Sequence, residues 1–398
     1  MTTDFAATRA LFDLPAGMVY LDGNSLGPLP KAAATKVAHA VTEEWGKLLI
    51  TGWNKAGWMD QPARVGDRIA RLIGAEAGTV VMGDTLSIKV YQALASALEM
   101  NPDRRVILSD TGNFPSDLYM ADGLVRTLGN GYALKTVAPE DVLDAIDDTV
   151  AVTLITEVDY RTGRKHDMAA ITARAHAMGA LTVWDLAHSA GAFPVHLAHC
   201  GADFAIGCTY KYLNSGPGGP AFIYVAPRHA DVARPALSGW LGHDAPFAFD
   251  LDYRPGRGSE RMRVGTPPVL QLAALEAALD VWDQVDMADL RAQSLHLSDH
   301  FIAGVESACP MLTLATPRAH DQRGSQVSFR HPEGYAIMQA LIARGVIGDF
   351  RAPDILRFGL TPLFIGAGDV DKAVATLAEI MANSLWDRPE YKTRAKVT

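Results

Sequence analysis

Six strand-length runs with almost no polar residue restrict this chain more than any other feature. They are Val80-Val81-Met82, Arg105-Val106-Ile107-Leu108, Val150-Ala151-Val152-Thr153-Leu154-Ile155, Leu181-Thr182-Val183-Trp184, Phe204 to Cys208, and Ala221-Phe222-Ile223-Tyr224-Val225. A strand with one wet face alternates apolar and polar residues; a strand that is apolar throughout must be covered on both faces. Helical patterns lie between most of these runs, one with Val90, Leu94, Ala97 and Leu98 aligned, another with Ile171, Ala175 and Met178. Strands alternating with helices predict an α/β fold with a parallel or mixed sheet under two helical layers. The reactive residues of such sheets gather in the loops beyond the strand ends.

A chain of 398 residues exceeds one ordinary core, so two domains are expected. A helix opened by Pro30, with Val37, Val41, Trp45 and Leu48 at helical spacing, precedes a second over 59–74 that turns Val65, Ile69, Leu72 and Ile73 inward. After Thr266-Pro267-Pro268, a helix through Val269, Leu272, Leu275, Leu279 and Trp282 bridges to a smaller α/β unit. That unit has strands at Gln326-Val327-Ser328-Phe329 and Ile355-Leu356-Arg357-Phe358, and helices over 333–344 and 369–385. The expected division is 1–50 as an N-terminal segment packing with the small domain, 51–268 as the large domain, and 269–398 as linking helix and small C-terminal domain. A net charge of −9 argues against nucleic acid and anionic membrane as partners. No apolar run reaches 18 residues, and the first residues lack the basic-then-apolar pattern of a signal peptide. Three cysteines without a Cys-x-x-Cys pair fit a reducing cytoplasm and build neither a zinc site nor a disulfide framework.

The chemistry centres on Cys208-Thr209-Tyr210-Lys211-Tyr212, where the apolar run from Phe204 ends and a Gly/Pro-rich loop, 213–220, begins. Alone, a lysine is a solvated surface charge. On the lip of a cleft it can lose its proton and attack carbonyls. Asp185 stands where the 181–184 run ends, 26 residues before Lys211, about one connection plus one strand away. Alone it reads equally well as a helix cap. Together the pair falls at one edge of one sheet and matches the lysine and ring-nitrogen carboxylate of pyridoxal-phosphate chemistry. Thr85-Leu86-Ser87, at a strand-to-helix junction, offers free N–H groups and a hydroxyl to a phosphate, and is otherwise an N-cap. Phe114, in a loop read over 112–117, can cover a planar ring. His188 gains weight only from its place three residues beyond Asp185.

These residues carry a resemblance. The chain resembles the kynureninase family, within the class-V aminotransferase-like group of pyridoxal-phosphate enzymes. The likeness runs nearly end to end, through Tyr20-Leu21-Asp22-Gly23-Asn24-Ser25-Leu26-Gly27, Trp53-Asn54-Lys55-Ala56-Gly57-Trp58, Asn113-Phe114-Pro115-Ser116-Asp117, Trp184-Asp185-Leu186-Ala187-His188, Thr209-Tyr210-Lys211-Tyr212-Leu213-Asn214, Leu237-Ser238-Gly239-Trp240, His331-Pro332-Glu333-Gly334-Tyr335 and Arg357-Phe358-Gly359. The Asp-x-Ala-His plus lysine pair is common to the wider group; the Asn-Phe-Pro-x-Asp, Tyr-Lys-Tyr-Leu-Asn and Gly-Trp segments narrow it.

The resemblance implies a fold-type I homodimer: a large cofactor-binding domain around a mostly parallel seven-stranded sheet, and an active site completed by the partner subunit. It implies pyridoxal 5'-phosphate as a Schiff base on Lys211, with Asp185 on the pyridine nitrogen, Phe114 on the ring, and Pro115, Ser116 and Asp117 beside it. Leu86, Ser87, Thr156, His188 and Tyr210 join the cofactor contacts. Trp240 and Thr266 reach it across the dimer, and Ser87, Tyr210, Trp240 and Thr266 stand near the phosphate. Arg357 is implied as a bidentate grip on the α-carboxylate, and Trp53, Asn24 and Ser25 as the lining of the aryl-ketone end. The implied reaction is Cβ–Cγ hydrolysis of L-kynurenine, and of 3-hydroxykynurenine, to the anthranilate and L-alanine, in the kynurenine pathway of tryptophan catabolism. Lys211 would move the α-proton and Tyr210 shuttle protons.

Four positions depart from the family pattern: Glu157, Asp159, Lys89 and Gln326. The rival reading on the same fold is a desulfurase-type lyase or a transaminase. A desulfurase needs a mobile nucleophilic cysteine, which neither Cys208, at a strand, nor Cys200, at a helix end, supplies.

Overall fold

In the computed structural model, which describes residues 2–395, the six apolar runs pair into one sheet of seven strands. Its order is Val80–Met82, Phe222–Val225, Phe204–Gly207, Leu181–Asp185, Val150–Thr156, Val106–Asp110, Ala133–Val137. Only Phe222–Val225 runs against its neighbours; the remaining pairs are parallel. Successive residues enter two different cores. Val81, Ile107, Val152, Leu154, Val183 and Ile206 face a cluster with the helices Leu86–Met100 and Pro115–Leu128. Val80, Met82, Leu108, Ile155, Trp184 and Ala205 face another with Gln61–Leu72 and Met168–Ala177. Burial on both faces is why these strands carry no alternation.

Two elements escape the pattern. Ala133–Val137 is an edge strand with no fully buried residue, so it lacks the apolar run that marks its neighbours. The loop read over 112–117 is cut short: Pro115, Ser116 and Asp117 form the first turn of the helix Pro115–Leu128, with Phe114 as its N-cap. Proline at the first position and an acidic residue in the first turn are helix-start signals. The helix opened near Pro30 is α-helical only over Lys31–His39; Ala40–Leu48 continues as a wider π-helix. Val41 and Trp45 stay exposed on it.

The smaller unit is a four-stranded antiparallel sheet in the order Thr313–Leu314, Gln326–Arg330, Ile355–Gly359, Asp349–Arg351. The long helix Met287–Ala308, not read from the sequence, packs on Ala367–Ala382 behind it. The N-terminal strand Val19–Tyr20 pairs with Val346–Ile347 of this unit, and the Thr8 hydroxyl donates to the Leu363 carbonyl at 3.0 Å. No described helix is long and apolar enough to cross a membrane.

Candidate active site

The parallel strands all end at one edge. The register aligns Thr156 with Asp185 and Asp185 with Ile206, so the three strand ends are level. Lys211 follows five residues beyond Ile206, in a turn closed by Thr209, whose Oγ1 lies 2.8 Å from Ser215 Oγ and donates to the Pro220 carbonyl at 2.6 Å. The N-terminal turn locks against this loop. Gly27 N–H donates to the Tyr210 carbonyl at 2.7 Å. A Cβ on Gly27 would overlap Asn214 Oδ1 and the Lys211 carbonyl oxygen.

Lys211 is buried, with Nζ 3.3 Å from His188 Nε2, 5.7 Å from the Phe114 ring centre and 5.8 Å from that of Tyr210. Asp185 Oδ1 accepts the Ala187 N–H at 2.9 Å and its Oδ2 accepts the Thr156 hydroxyl at 3.3 Å. Burial raises its pKa, against the pull of the Lys211 charge. Asp117 is pushed well above the usual carboxylate range, by burial and then by the Asp185 charge, and its Oδ2 is buried without a partner. Burial and the Lys211, Arg357 and Arg351 charges drive His188 well below its ordinary value, so its ring is neutral. The Tyr210 hydroxyl is raised by the Cys208 sulfur and by burial, keeping it protonated.

Two helix starts converge here. Ser87 Oγ and Ser116 Oγ, each in a first turn, are 2.9 Å apart. Neither N-cap, Thr85 or Phe114, bonds its helix's free N–H groups through a side chain. Two uncapped helix N-termini with hydroxyls between them suit an anion. Thr266 lines a cavity of about 260 Å³ with Gly83, Asp84 and Thr85, beside the first of these helices. Leu86 is the first residue of that helix.

Other expected site residues sit differently. Phe114 presents its ring to Tyr160 edge-on, centres 5.1 Å apart. Trp240 is exposed and packs on Phe247 at 5.6 Å, and Trp53 packs on Trp58 at 5.7 Å. Asn24 is fully buried, with neither side-chain polar atom partnered. Arg357 is not an open bidentate fork. Its Nε donates to Asp349 Oδ1 at 2.7 Å, Nη1 to the Tyr160 carbonyl at 2.6 Å, and Nη2 to Ser25 Oγ at 2.7 Å and to Asp349 Oδ2. Ser25, expected with Asn24 and Trp53, is bonded to this arginine.

The four departures are all buried around the site. Lys89 Nζ donates to Gln92 Oε1 at 2.9 Å, to the Met262 carbonyl at 3.0 Å and to Asp84 at 3.2 Å, tying the first helix to the segment before Thr266. Gln326 Nε2 donates to the Asp159 and Tyr160 carbonyls, and Asp159 Oδ1 caps the turn through the N–H groups of Arg161 and Thr162. Together they fix the carbonyl that Arg357 uses. Glu157 is pushed up to about 7 by burial.

Fold and site define a class. The structure matches a C-DES mutant with glycine covalently linked to its PLP cofactor (TM-score 0.79, 19% identity, 93% of this chain and 99% of that one). It also matches an apo cysteine desulfurase from Thermococcus onnurineus NA1 (TM-score 0.79, 17% identity, 96% and 99%). The fold is that of the fold-type I pyridoxal-phosphate enzymes, as the resemblance implied. The particular family comes from sequence: the chain is 52% identical to kynureninases of Pseudomonas fluorescens and Burkholderia pseudomallei (strain 1106a), over 99% of its length and 96% of theirs. Residues 290–377 match the model of the kynureninase C-terminal domain. The chain belongs to the kynureninase family.

Proposed function

We propose that this chain hydrolyses the Cβ–Cγ bond of L-kynurenine to anthranilate and L-alanine, using pyridoxal phosphate. The observation that carries the reading is the convergence of Lys211, His188, Asp185 and Asp117 beside two uncapped helix starts. These residues fit the cofactor. Lys211 Nζ is an amine in a buried cleft, the unpartnered Asp117 Oδ2 awaits a polar neighbour, and the helix starts match a phosphate. Bound pyridoxal phosphate supplies an electron sink that makes a substrate α-proton removable.

Around that sink the chain's own groups divide the work. Lys211 Nζ holds or releases the moving proton, and neutral His188 beside it accepts a hydrogen bond without adding charge. Asp185, oriented by Thr156 and the Ala187 N–H, would hold the ring nitrogen of the bound cofactor. The Tyr210 hydroxyl, kept protonated, can donate to a developing oxyanion. A desulfurase reading finds no nucleophile: burial raises Cys200, Cys208 and Cys309 above the ordinary thiol value, against thiolate formation.

The enzyme acts as a homodimer, a reading supported by the exposed apolar side chains Ile50, Trp240, Phe247 and Leu251. Its three free thiols suit the cytoplasm. The division into N-terminal segment, large domain and small domain belongs to the same reading. Incubation with L-kynurenine should release fluorescent anthranilate, and Lys211→Ala should lower the rate by about 10²-fold or more. Keto-acid release without fluorescence would replace the reading with a transaminase.

A further inference from the structure

The small sheet places three charged side chains on one face. Asp349 stands opposite Arg357 in the antiparallel register, and Arg351, two residues on, shares the face of Asp349. Both guanidiniums reach one carboxylate: Arg357 through Nε and Nη2, Arg351 through Nη2 at 2.7 Å. Ser25 Oγ joins all three. It donates to Asp349 Oδ2 at 2.5 Å and accepts from Arg357 at 2.7 Å and Arg351 at 3.3 Å. A serine hydroxyl has one donor and two lone pairs, so Ser25 is saturated.

The cluster is one negative charge short. Burial would raise Asp349, but Arg357 and Arg351 outweigh it and keep the group ionised. Asp22, the other carboxyl near this pair, is pushed up to about 8 by burial and by the Asp349 charge, and so is neutral near pH 7. Two guanidiniums then face one carboxylate. An uncompensated charge in a buried setting is costly, and a site built this way is completed by an anion. The unfilled donors show where. Arg357 has four of its five N–H positions engaged, leaving one on Nη1. Arg351 Nε is buried without any partner, while the side chain as a whole is one-third exposed (33%).

We propose that Arg351 is a specificity-determining residue that takes the α-carboxylate of the amino-acid substrate through its free Nε–H, jointly with the remaining Nη1–H of Arg357. The proposal rests on the reading of the substrate given above. Arg357 alone cannot offer two parallel N–H groups without releasing Asp349, Ser25 or the Tyr160 carbonyl, whereas Arg351, bonded to the same carboxylate, has its Nε–H free.

Arg351→Gln in the holoenzyme tests this. KM for L-kynurenine should rise about 10- to 100-fold, with kcat within about threefold of the parent. The inhibition constant of the matching aryl-ketone amine without its carboxylate should not move. Arg351→Lys should recover part of the loss, since an ammonium keeps the charge but not the fork. An unchanged KM overturns the proposal, and so does an equal loss for carboxylate and carboxylate-free ligands, which would mark a structural role. If the parent enzyme releases no anthranilate, the functional reading fails by itself. Calorimetric titration of parent and Arg351→Gln with L-alanine and with ethylamine then decides the arginine: a loss confined to L-alanine supports it, and no difference removes it.

Discussion

Burial raises Asp185, Asp117, Glu157 and Asp22, yet leaves Asp349 ionised: Asp22 feels the same two guanidinium charges, but only Asp349 is bonded directly to them. Asp22 converts that contrast into a pH dependence. Its folded value, about 8, lies above the unfolded value, so across roughly pH 4–8 the native state keeps a proton that the unfolded chain has lost. Stability is therefore fully present below the unfolded value, declines as pH rises by up to about 1.4 kcal/mol per unit, and levels off above about 8. Asp22→Asn carries no such proton. Urea unfolding should show the variant gaining on the parent from about pH 5 to about pH 8; parallel curves would mean that Asp22 is ionised throughout. At this scale the sequence is partly legible. Lys211, Asp185, His188 and Ser87 stand out in it because each lies at or just past a strand end or at a helix start, whereas Asp117 comes only from the resemblance. Asp349 and Arg351 are not, since their meaning comes from a cross-strand pairing with Arg357 and from Ser25, more than 300 residues away in the chain.

Between elements, the site depends on how closely the N-terminal turn approaches the lysine loop. Gly27 sits where its N–H meets the Tyr210 carbonyl and where a side chain has no room. Gly27→Ala should cost about 1–3 kcal/mol by overpacking and should displace the loop that carries Lys211. Both a lowered melting temperature and a lowered anthranilate rate are expected; a variant as stable and active as the parent would show that the two segments move apart freely. The apolar runs make the sheet readable in the sequence, because burial on both faces leaves one kind of residue. Ala133–Val137 is unreadable for the opposite reason: an edge strand is wet, and its pairing comes from its neighbour. The first turn of Pro115–Leu128 is hidden in a stretch with loop composition, although proline and aspartate there are helix-start residues.

For the whole molecule, two apolar surfaces are left open. One carries Val41, Trp45, Leu49 and Ile50, the last 76% exposed, and adjoins Trp53. Near its base an apolar cavity of about 680 Å³ is lined by Pro28, Leu29, Val37 and Leu270. The other carries Trp240, Phe247, Phe249 and a fully exposed Leu251. Scattered exposed apolar residues are ordinary, but contiguous aromatic ones point to an interface. Each surface adjoins one of the two expected site tryptophans, Trp53 or Trp240. A second copy seated on both would cover the apolar groups and bring Trp53 or Trp240 toward the partner's lysine. Ile50→Glu combined with Leu251→Glu should therefore shift sedimentation from dimer to monomer while far-UV circular dichroism stays native. Anthranilate release should drop with it by about tenfold or more, in proportion to the dimer remaining. A parent enzyme that sediments as a fully active monomer would remove the shared site. A double variant that stays dimeric and active would instead place the interface elsewhere on the surface.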